Sequence, residues 1–261
     1  MENIVGENMR AMDHVKQIKE QGFTKLNGAY DSDTVGRFKN CIAEYSTNHS
    51  EVSDFIYNLQ NKNLDIYLSI VRNNQIKEIL KECLNDDWYK QLPKGVANFI
   101  LRGLVARSSG ETALKMHLDS FVPSSGKFIW NMIMSIALDE TTETNGPTFL
   151  VPKSHRFDDW ASSSWLNKSI TIYSKPGDVL IWDSRLWHGA GANTSGGTRW
   201  AIIATFSRWW IKQTYNMPES FPKEYLPSLS DEEKAILGFC NNTPLDENDR
   251  VNIQGGFELL P

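Results

Sequence analysis

Cysteine is scarce in this sequence. Its 261 residues include three, Cys41, Cys83 and Cys240, widely separated and without CxxC spacing. An odd number so spread makes neither a disulfide framework nor a zinc site, and reduced structural thiols in a cytoplasmic protein are expected. Net positive charge is also missing. There are 27 basic and 32 acidic residues, a formal net charge of -5, so the electrostatic footprint of a nucleic-acid binder is absent. No basic cluster or basic amphipathic helix points to a membrane surface. No apolar run approaches the roughly 18 residues that cross a bilayer. The opening MENIVGENMRAMDHVKQ lacks the basic-then-apolar order of a secretory signal. We therefore expect a cytoplasmic protein with no nucleic-acid, membrane or obligatory protein partner.

What is there is ordinary globular material: 40% hydrophobic and 23% charged residues, in a length that suits one large domain. Nine Trp, twelve Phe and eight Tyr supply rigid surface for a core or a pocket. From about 8 to 90 the periodicity is mostly helical. Met9, Met12, Val15 and Ile18 recur at helical spacing before Gly22. Phe23 to Leu26 is a strand candidate, and Asp31 or Ser32 caps a helix carrying Val35, Phe38, Ile42 and Tyr45. Leu64 to Leu84 continues the helical pattern.

Past Pro93 the pattern changes to short strands between turns: Val96 to Val105, Leu114 to Asp119, Phe128 to Leu138, Thr148 to Val151, Ile170 to Tyr173, Val179 to Trp182 and Trp200 to Ser207. Such a series predicts a sandwich or barrel rather than a parallel α/β sheet. The expected architecture is a single α+β domain: a helical buttress over 1–92, a jelly-roll core over 93–211 and a wrapping tail over 212–261. One short helix is expected near Ser230 to Leu237.

Five histidines allow each to be weighed. His14, in a charged amphipathic helix, and His49, in a polar run, read as surface residues. His155 follows a strand in Pro152-Lys153-Ser154-His155, where a structural hydrogen bond is the default. His117 is different, because it stands in His117-Leu118-Asp119. Residues i and i+2 of an extended segment share a face, so imidazole and carboxylate project side by side as a chelating pair. Alone, this pattern is common by chance.

His188 raises the specificity. It follows the turn Lys175-Pro176-Gly177-Asp178 and the apolar strand Val179 to Trp182, and precedes Gly189 and Ala190, small residues that leave room for a metal and a second molecule. A His and a carboxylate joined by a distant His form the facial triad of non-haem iron(II), which leaves three coordination positions open. Arg199 follows eleven residues later (199 minus 188) and shares its face with Ala201, Ile203, Thr205 and Ser207. A guanidinium among small side chains suits the grip on a carboxylate inside a barrel.

With these elements in order, the sequence resembles the phytanoyl-CoA dioxygenase-like branch of the iron(II)/2-oxoglutarate oxygenases. The match runs through His117-Leu118-Asp119, Asn145-Gly146-Pro147-Thr148-Phe149-Leu150-Val151-Pro152-Lys153-Ser154-His155, Gly177 to Asp183, His188 and Arg199, roughly residues 95 to 210. The resemblance implies a double-stranded β-helix. It also implies Fe(2+) on His117, Asp119 and His188, with Arg199 on the distal carboxylate of 2-oxoglutarate. O2 would be the second cosubstrate, with succinate and CO2 released. Ala190 stands where some members have a serine, so the second contact to that carboxylate is open. Thr148 and Lys115 are candidate cosubstrate contacts; Lys115 has the parity of His117, and an anionic substrate or the barrel rim are its alternatives. Asp119 argues for hydroxylation over halogenation, since halogenating members carry a small residue there.

Trp130, Asn131, Arg185, Trp187 and Arg208 lie near the expected site and are candidates to touch substrate, although most Trp residues should be core and both Arg could be salt-bridge partners. A small, free, polar metabolite is the expected substrate. Desaturation or cyclisation on the same fold, and a non-catalytic metal-binding module, remain alternatives. A metal enzyme without 2-oxoglutarate is opposed by Arg199. The segments 120–130 and 183–187, with the tail past 212, are expected to border the mouth of the site.

Overall fold

A computed structural model describes residues 10–46, 53–89, 92, 95–120, 122–241, 246 and 248. His49 and most of the tail past 241 therefore lie outside the described residues. Helices α1 (Ala11–Gln21), α2 (Ser32–Tyr45), α3 (Leu64–Arg72) and α4 (Asn74–Leu84) come first, with strands β1 (Phe23–Leu26) and β2 (Phe55–Ile56) among them. Asp31 caps α2 through the Thr34 amide, and Asn63 and Asn73 cap the next two helices in the same way. Each helix turns an apolar stripe inward: Val15 and Ile18, then Val35, Phe38 and Ile42, then Ile76, Ile79 and Leu80 are all buried.

Strands β3 (Phe99–Ser108), β4 (Leu114–His117), β5 (Asn131–Ala137), β6 (Thr148–Leu150), β7 (Ile170–Ile172), β8 (Val179–Asp183), β9 (His188–Ala190) and β10 (Trp200–Arg208) follow. Short helices α5 (Met217–Ser220) and α6 (Asp231–Ile236) close the described chain, α6, near the expected Ser230 to Leu237, opening on a capping box of Ser230 with Glu233. All strand pairs are antiparallel. They form a six-stranded sheet, β1-β8-β5-β10-β3-β2, and a four-stranded sheet, β4-β9-β6-β7. The fold is an α+β jelly roll.

Alternation along β8 shows how the layers stack. Val179 and Ile181 join the large core shared with the helices, while Leu180 and Trp182 join Phe23, Ile133, Leu150 and Leu186 in a smaller apolar cluster on the opposite face of the sheet. Gly177 makes the turn into β8 at φ 88°, and a Cβ there would meet the Tyr30 carbonyl, so only glycine fits.

Several strand boundaries differ from the expected ones, for local reasons. Residues 96–98 are not strand, because their backbone is taken up by side chains after α4. The Asn85 amide donates to the Val96 carbonyl, and Asn98 exchanges hydrogen bonds with Asn85 and Asp86. The carbonyls of Ile129 and Trp130 accept from Arg208, so β5 starts at Asn131 instead of Phe128. The first 92 residues are also more than a buttress, since β1 and β2 form the two edges of the large sheet. The three cysteines are buried free thiols, and burial pushes Cys83 up to about 12 and Cys240 up to about 11. No helix among the described residues is long and apolar enough to cross a membrane.

Candidate metal centre

The last residue of β4 and the first of β9, His117 and His188, are register partners, with ring centroids 4.2 Å apart. Asp119 lies two residues beyond β4. Its amide and that of Ser120 both donate to the Ser184 carbonyl, which pins the segment against the end of β8. The Asp119 carboxylate then reaches both imidazoles: Oδ1 lies 3.5 Å from Nε2 of His117, and Oδ2 lies 3.2 Å from Nε2 of His188. Trp182 donates its indole N–H to Oδ2 at 3.3 Å. One donor atom from each of the three residues lies within 4.8 Å of the others, a grouping with no second example among the described residues.

The chemistry of this donor set fits a divalent metal. Nδ1 of His117 faces the Lys115 carbonyl at 2.8 Å, and Nδ1 of His188 faces the Leu186 carbonyl at 2.9 Å. A carbonyl can only accept, so both rings donate from Nδ1 and aim Nε2, the atom free to ligate a metal once it carries no proton, toward Asp119. This is how a metal-ligating histidine is oriented by the atoms behind it. Two donors about 2.1 Å from one metal and at right angles stand roughly 3 Å apart, close to the spacings found here. Two nitrogens and one carboxylate on one side suit an ion that keeps other positions for small ligands.

Electrostatics favour the charged carboxylate. Burial would raise the Asp119 pKa, but the two histidines outweigh it and hold the group far below the usual carboxylate range. Burial works against charging His117, yet its hydrogen bond to Asp119 and the Lys115 carbonyl prevail and raise its pKa. A bound cation would replace that proton.

These groups border a cavity of about 160 Å³ inside the jelly roll, with Arg199 lining it as well. Nε of Arg199 donates to the Asn145 carbonyl at 3.0 Å and Nη2 to the Gly146 carbonyl at 2.7 Å. Nη1 makes no hydrogen bond among the described residues. Ala201, Ile203 and Thr205 line the wall as their parity with Arg199 predicts, whereas Ser207 is buried outside the lining. Thr148 is also in the wall, with Ser135 from β5.

Other expectations are corrected. Lys115 is exposed and does not line the cavity, because β4 is irregular. Leu114 pairs with Ala190 and His117 with His188, so three steps on one strand match two on the other and parity is lost between them. Lys115 contributes only its carbonyl. Gly189 does not make room for a second molecule, since a Cβ there would meet the Phe149 ring and the Leu114 carbonyl.

None of the five substrate candidates lines the cavity. Arg185 is buried in a bidentate pair with Asp183 (2.7 and 3.0 Å). Arg208 is spent on the carbonyls of Ile129, Asn85 and Cys83 and lies over the Phe128 ring. Trp187 packs edge-on against Phe157 and Trp165. Asn131 is buried opposite Ser207 in the sheet, and Trp130 precedes it. His14 is buried rather than on the surface, with Nδ1 2.7 Å from the Thr24 hydroxyl. His155 is buried and faces the Lys19 carbonyl, a structural bond as expected.

Two site residues emerge only from the structure. Arg107 lines the cavity from β3, where it is register partner to Ala201. With that strand expected to end at Val105, Arg107 fell outside it, although continued alternation would have put it on the inner face. Trp182 was expected nearby as packing, and its N–H on Asp119 is a tertiary fact. Of the segments expected at the mouth, 183–187 supports the centre from behind, with the Ser184 carbonyl holding the Asp119 amide and the Leu186 carbonyl facing Nδ1 of His188, and none of its residues lines the cavity.

The family model described as phytanoyl-CoA dioxygenase (PhyH) matches residues 18–201. A relative from Aspergillus fumigatus, "Dioxygenase af480", is 26% identical over 151 residues, covering 56% of this chain and 48% of its own. The chain thus spans about half the length of the curated relatives it matches. Among solved structures, HygX of Streptomyces hygroscopicus with nickel, 2-oxoglutarate and hygromycin B bound superposes with a TM-score of 0.62 at 12% identity. That match covers 77% of this chain and 88% of HygX. The epimerase SnoN, in complex with Fe3+, alpha ketoglutarate and nogalamycin RO, superposes with a TM-score of 0.59 at 17% identity, covering 76% and 83%. At these identities the two structures speak for the fold.

Proposed function

Since the chain belongs to the phytanoyl-CoA dioxygenase (PhyH) family, we propose that it is a non-haem iron(II) dioxygenase that consumes 2-oxoglutarate and O2 and hydroxylates a small polar metabolite. His117, Asp119 and His188 hold the iron, and Arg199 holds the distal carboxylate of 2-oxoglutarate. One observation carries this reading: a single small cavity is bordered both by three converging metal donors and by a guanidinium with a free prong. Iron bound there supplies the coupling of 2-oxoglutarate decarboxylation, to succinate and CO2, to oxygen insertion in a C–H bond.

The chain's own residues do the rest. Asp119 contributes one negative charge, and Trp182 fixes its orientation through Oδ2. Arg199 and Arg107 bring two positive charges to the same cavity, matching a dianionic cosubstrate. Asn145 and Gly146 clamp two nitrogens of Arg199, so its free nitrogen is presented at little entropic cost. Ile133, Ala201 and Ile203 keep water from the cosubstrate, and the hydroxyls of Thr148 and Ser135 are available to its carboxylate.

A cavity of about 160 Å³ falls below the roughly 300–1,000 Å³ of a pocket for a drug-sized ligand. The substrate therefore presents its reacting carbon at the mouth while its bulk stays outside. The two structural neighbours carry nogalamycin RO and hygromycin B in their complexes, which supports a free small-molecule substrate. The test is anaerobic titration of iron(II) and 2-oxoglutarate, followed by a succinate-release screen over metabolites. Failure of the iron-loaded protein to bind 2-oxoglutarate would end the proposal.

A further inference from the structure

A second cavity, about 660 Å³, lies on the helix side of the six-stranded sheet. Asp183 has the parity of Val179 and Ile181, whose side chains meet the helices, and it lines this cavity with Ile18 of α1. The walls carry Lys19, Lys127, Arg156 and Arg185 against one carboxylate, Asp183. That carboxylate is already neutralised. Arg185 grips it with two nitrogens, and its remaining Nη1 donates to the carbonyls of Ser124 and Gly126. Lys19, Lys127 and Arg156 are left without a carboxylate partner among the described residues.

Three cations without a carboxylate partner among the described residues stand around one hollow in a chain of net charge -5, so an anion held there would be attracted by all three. Helix capping accounts for part of the arrangement. Arg156 and His155 bind the Lys19 carbonyl at the C-terminal end of α1, where positive charge is favoured. It accounts for neither Lys127 nor the volume, which falls in the range of a small-molecule pocket.

We propose that this cavity is a second small-molecule site, separate from the 2-oxoglutarate position, and that it takes a ligand bearing a multiply charged anionic group such as a phosphate. The reading does not rest on the proposed reaction. Ligand and metal centre share a scaffold, since Arg185 ties down residues 124–126 and the adjacent Ser184 carbonyl holds the amides of Asp119 and Ser120.

Inorganic pyrophosphate is the probe, titrated calorimetrically into the metal-free full chain at moderate salt. Saturable binding at one site per chain is expected. It should weaken at least tenfold in the double variant Lys19→Ala/Lys127→Ala and persist in Arg199→Ala. Both lysines are exposed and their side chains make no hydrogen bond among the described residues, so the double variant should unfold at the temperature of the parent. Binding of 2-oxoglutarate to the iron-loaded double variant should be unchanged. No saturable pyrophosphate binding to the parent chain would overturn the proposal, and so would binding lost in Arg199→Ala but kept in the double variant. Competition by a metabolite from the succinate screen would mark the anion as an arm of the substrate, and its absence would mark a separate ligand.

Discussion

Replacing Arg199 by lysine keeps the charge and removes the fork. In the structure Nε and Nη2 are committed to Asn145 and Gly146, at 3.0 and 2.7 Å, and Nη1 alone is uncommitted. A single ammonium cannot hold both carbonyls and also meet the cosubstrate. One hydrogen bond to a charged partner contributes about 1.5–3 kcal/mol, so losing it weakens 2-oxoglutarate binding roughly 10- to 150-fold. The carbonyls of Asn145 and Gly146 lose their donors too, and the loop they belong to leads into Thr148, the first residue of β6, in the cavity wall. Arg199→Lys should therefore also lower stability, by roughly 1–2 kcal/mol. The assay is anaerobic calorimetry of 2-oxoglutarate into iron(II)-loaded protein, with iron content measured separately. Iron loading should be unchanged, because Arg199 touches none of the three metal donors. If Arg199→Lys bound 2-oxoglutarate as the parent does while Arg107→Ala did not, the anchor would be Arg107 and the reasoning would be wrong.

Three further outcomes are expected. His188→Ala should abolish stoichiometric iron loading, while Trp182→Phe, which removes only the N–H on Asp119, should weaken iron binding by roughly tenfold; equal effects would mean the indole does more than orient the carboxylate. In excess chloride the product should still be heavier by one oxygen derived from labelled O2. In the proposed site Asp119, beside both histidines, would take the place a halide needs and supply its negative charge, so a halogenated main product would contradict the proposed ligand set. His14 is buried, and desolvation holds its pKa below the usual histidine value against the pull of Asp13. The folded chain thus binds fewer protons there than the unfolded chain, and its stability falls as pH drops through the unfolded value of about 6.5. His14→Asn should flatten the decline of the urea midpoint between about pH 7.5 and 5.5; an unaltered slope would assign the acid sensitivity to another group.

How much of this was legible without coordinates depended on whether a residue's role is local. The cap at Asp31 was readable because a capping side chain meets an amide two or three residues away. The inward face of β10 was readable because alternation places Arg199, Ala201, Ile203 and Thr205 together whatever lies opposite. Likewise, the pairing of His117 with Asp119 follows from an extended segment, and the apolar strand before His188 marked it as a partner.

What sequence could not decide was set by pairing across strands. The irregular match of β4 with β9 turned Lys115 out to solvent, and no pattern in Leu114-Lys115-Met116-His117 announces it. Gly189 is small for the sake of the Phe149 ring and the Leu114 carbonyl, contacts that exist only once β4, β9 and β6 lie side by side. Arg107 enters the cavity because β3 runs on to Ser108, three residues past the expected end at Val105, held there by its ladder with β10. For Arg185 and Arg208 the sequence left substrate contact and ion pairing both open, and each is consumed by partners as distant in sequence as Gly126 and Asn85. By itself the sequence determined the fold class, the His-Asp pair and the face of Arg199, because these follow from periodicities of two and 3.6 residues. The tertiary structure decided which cations are spent and which still face a cavity, since a buried charge takes its nearest partner in space and not in the chain.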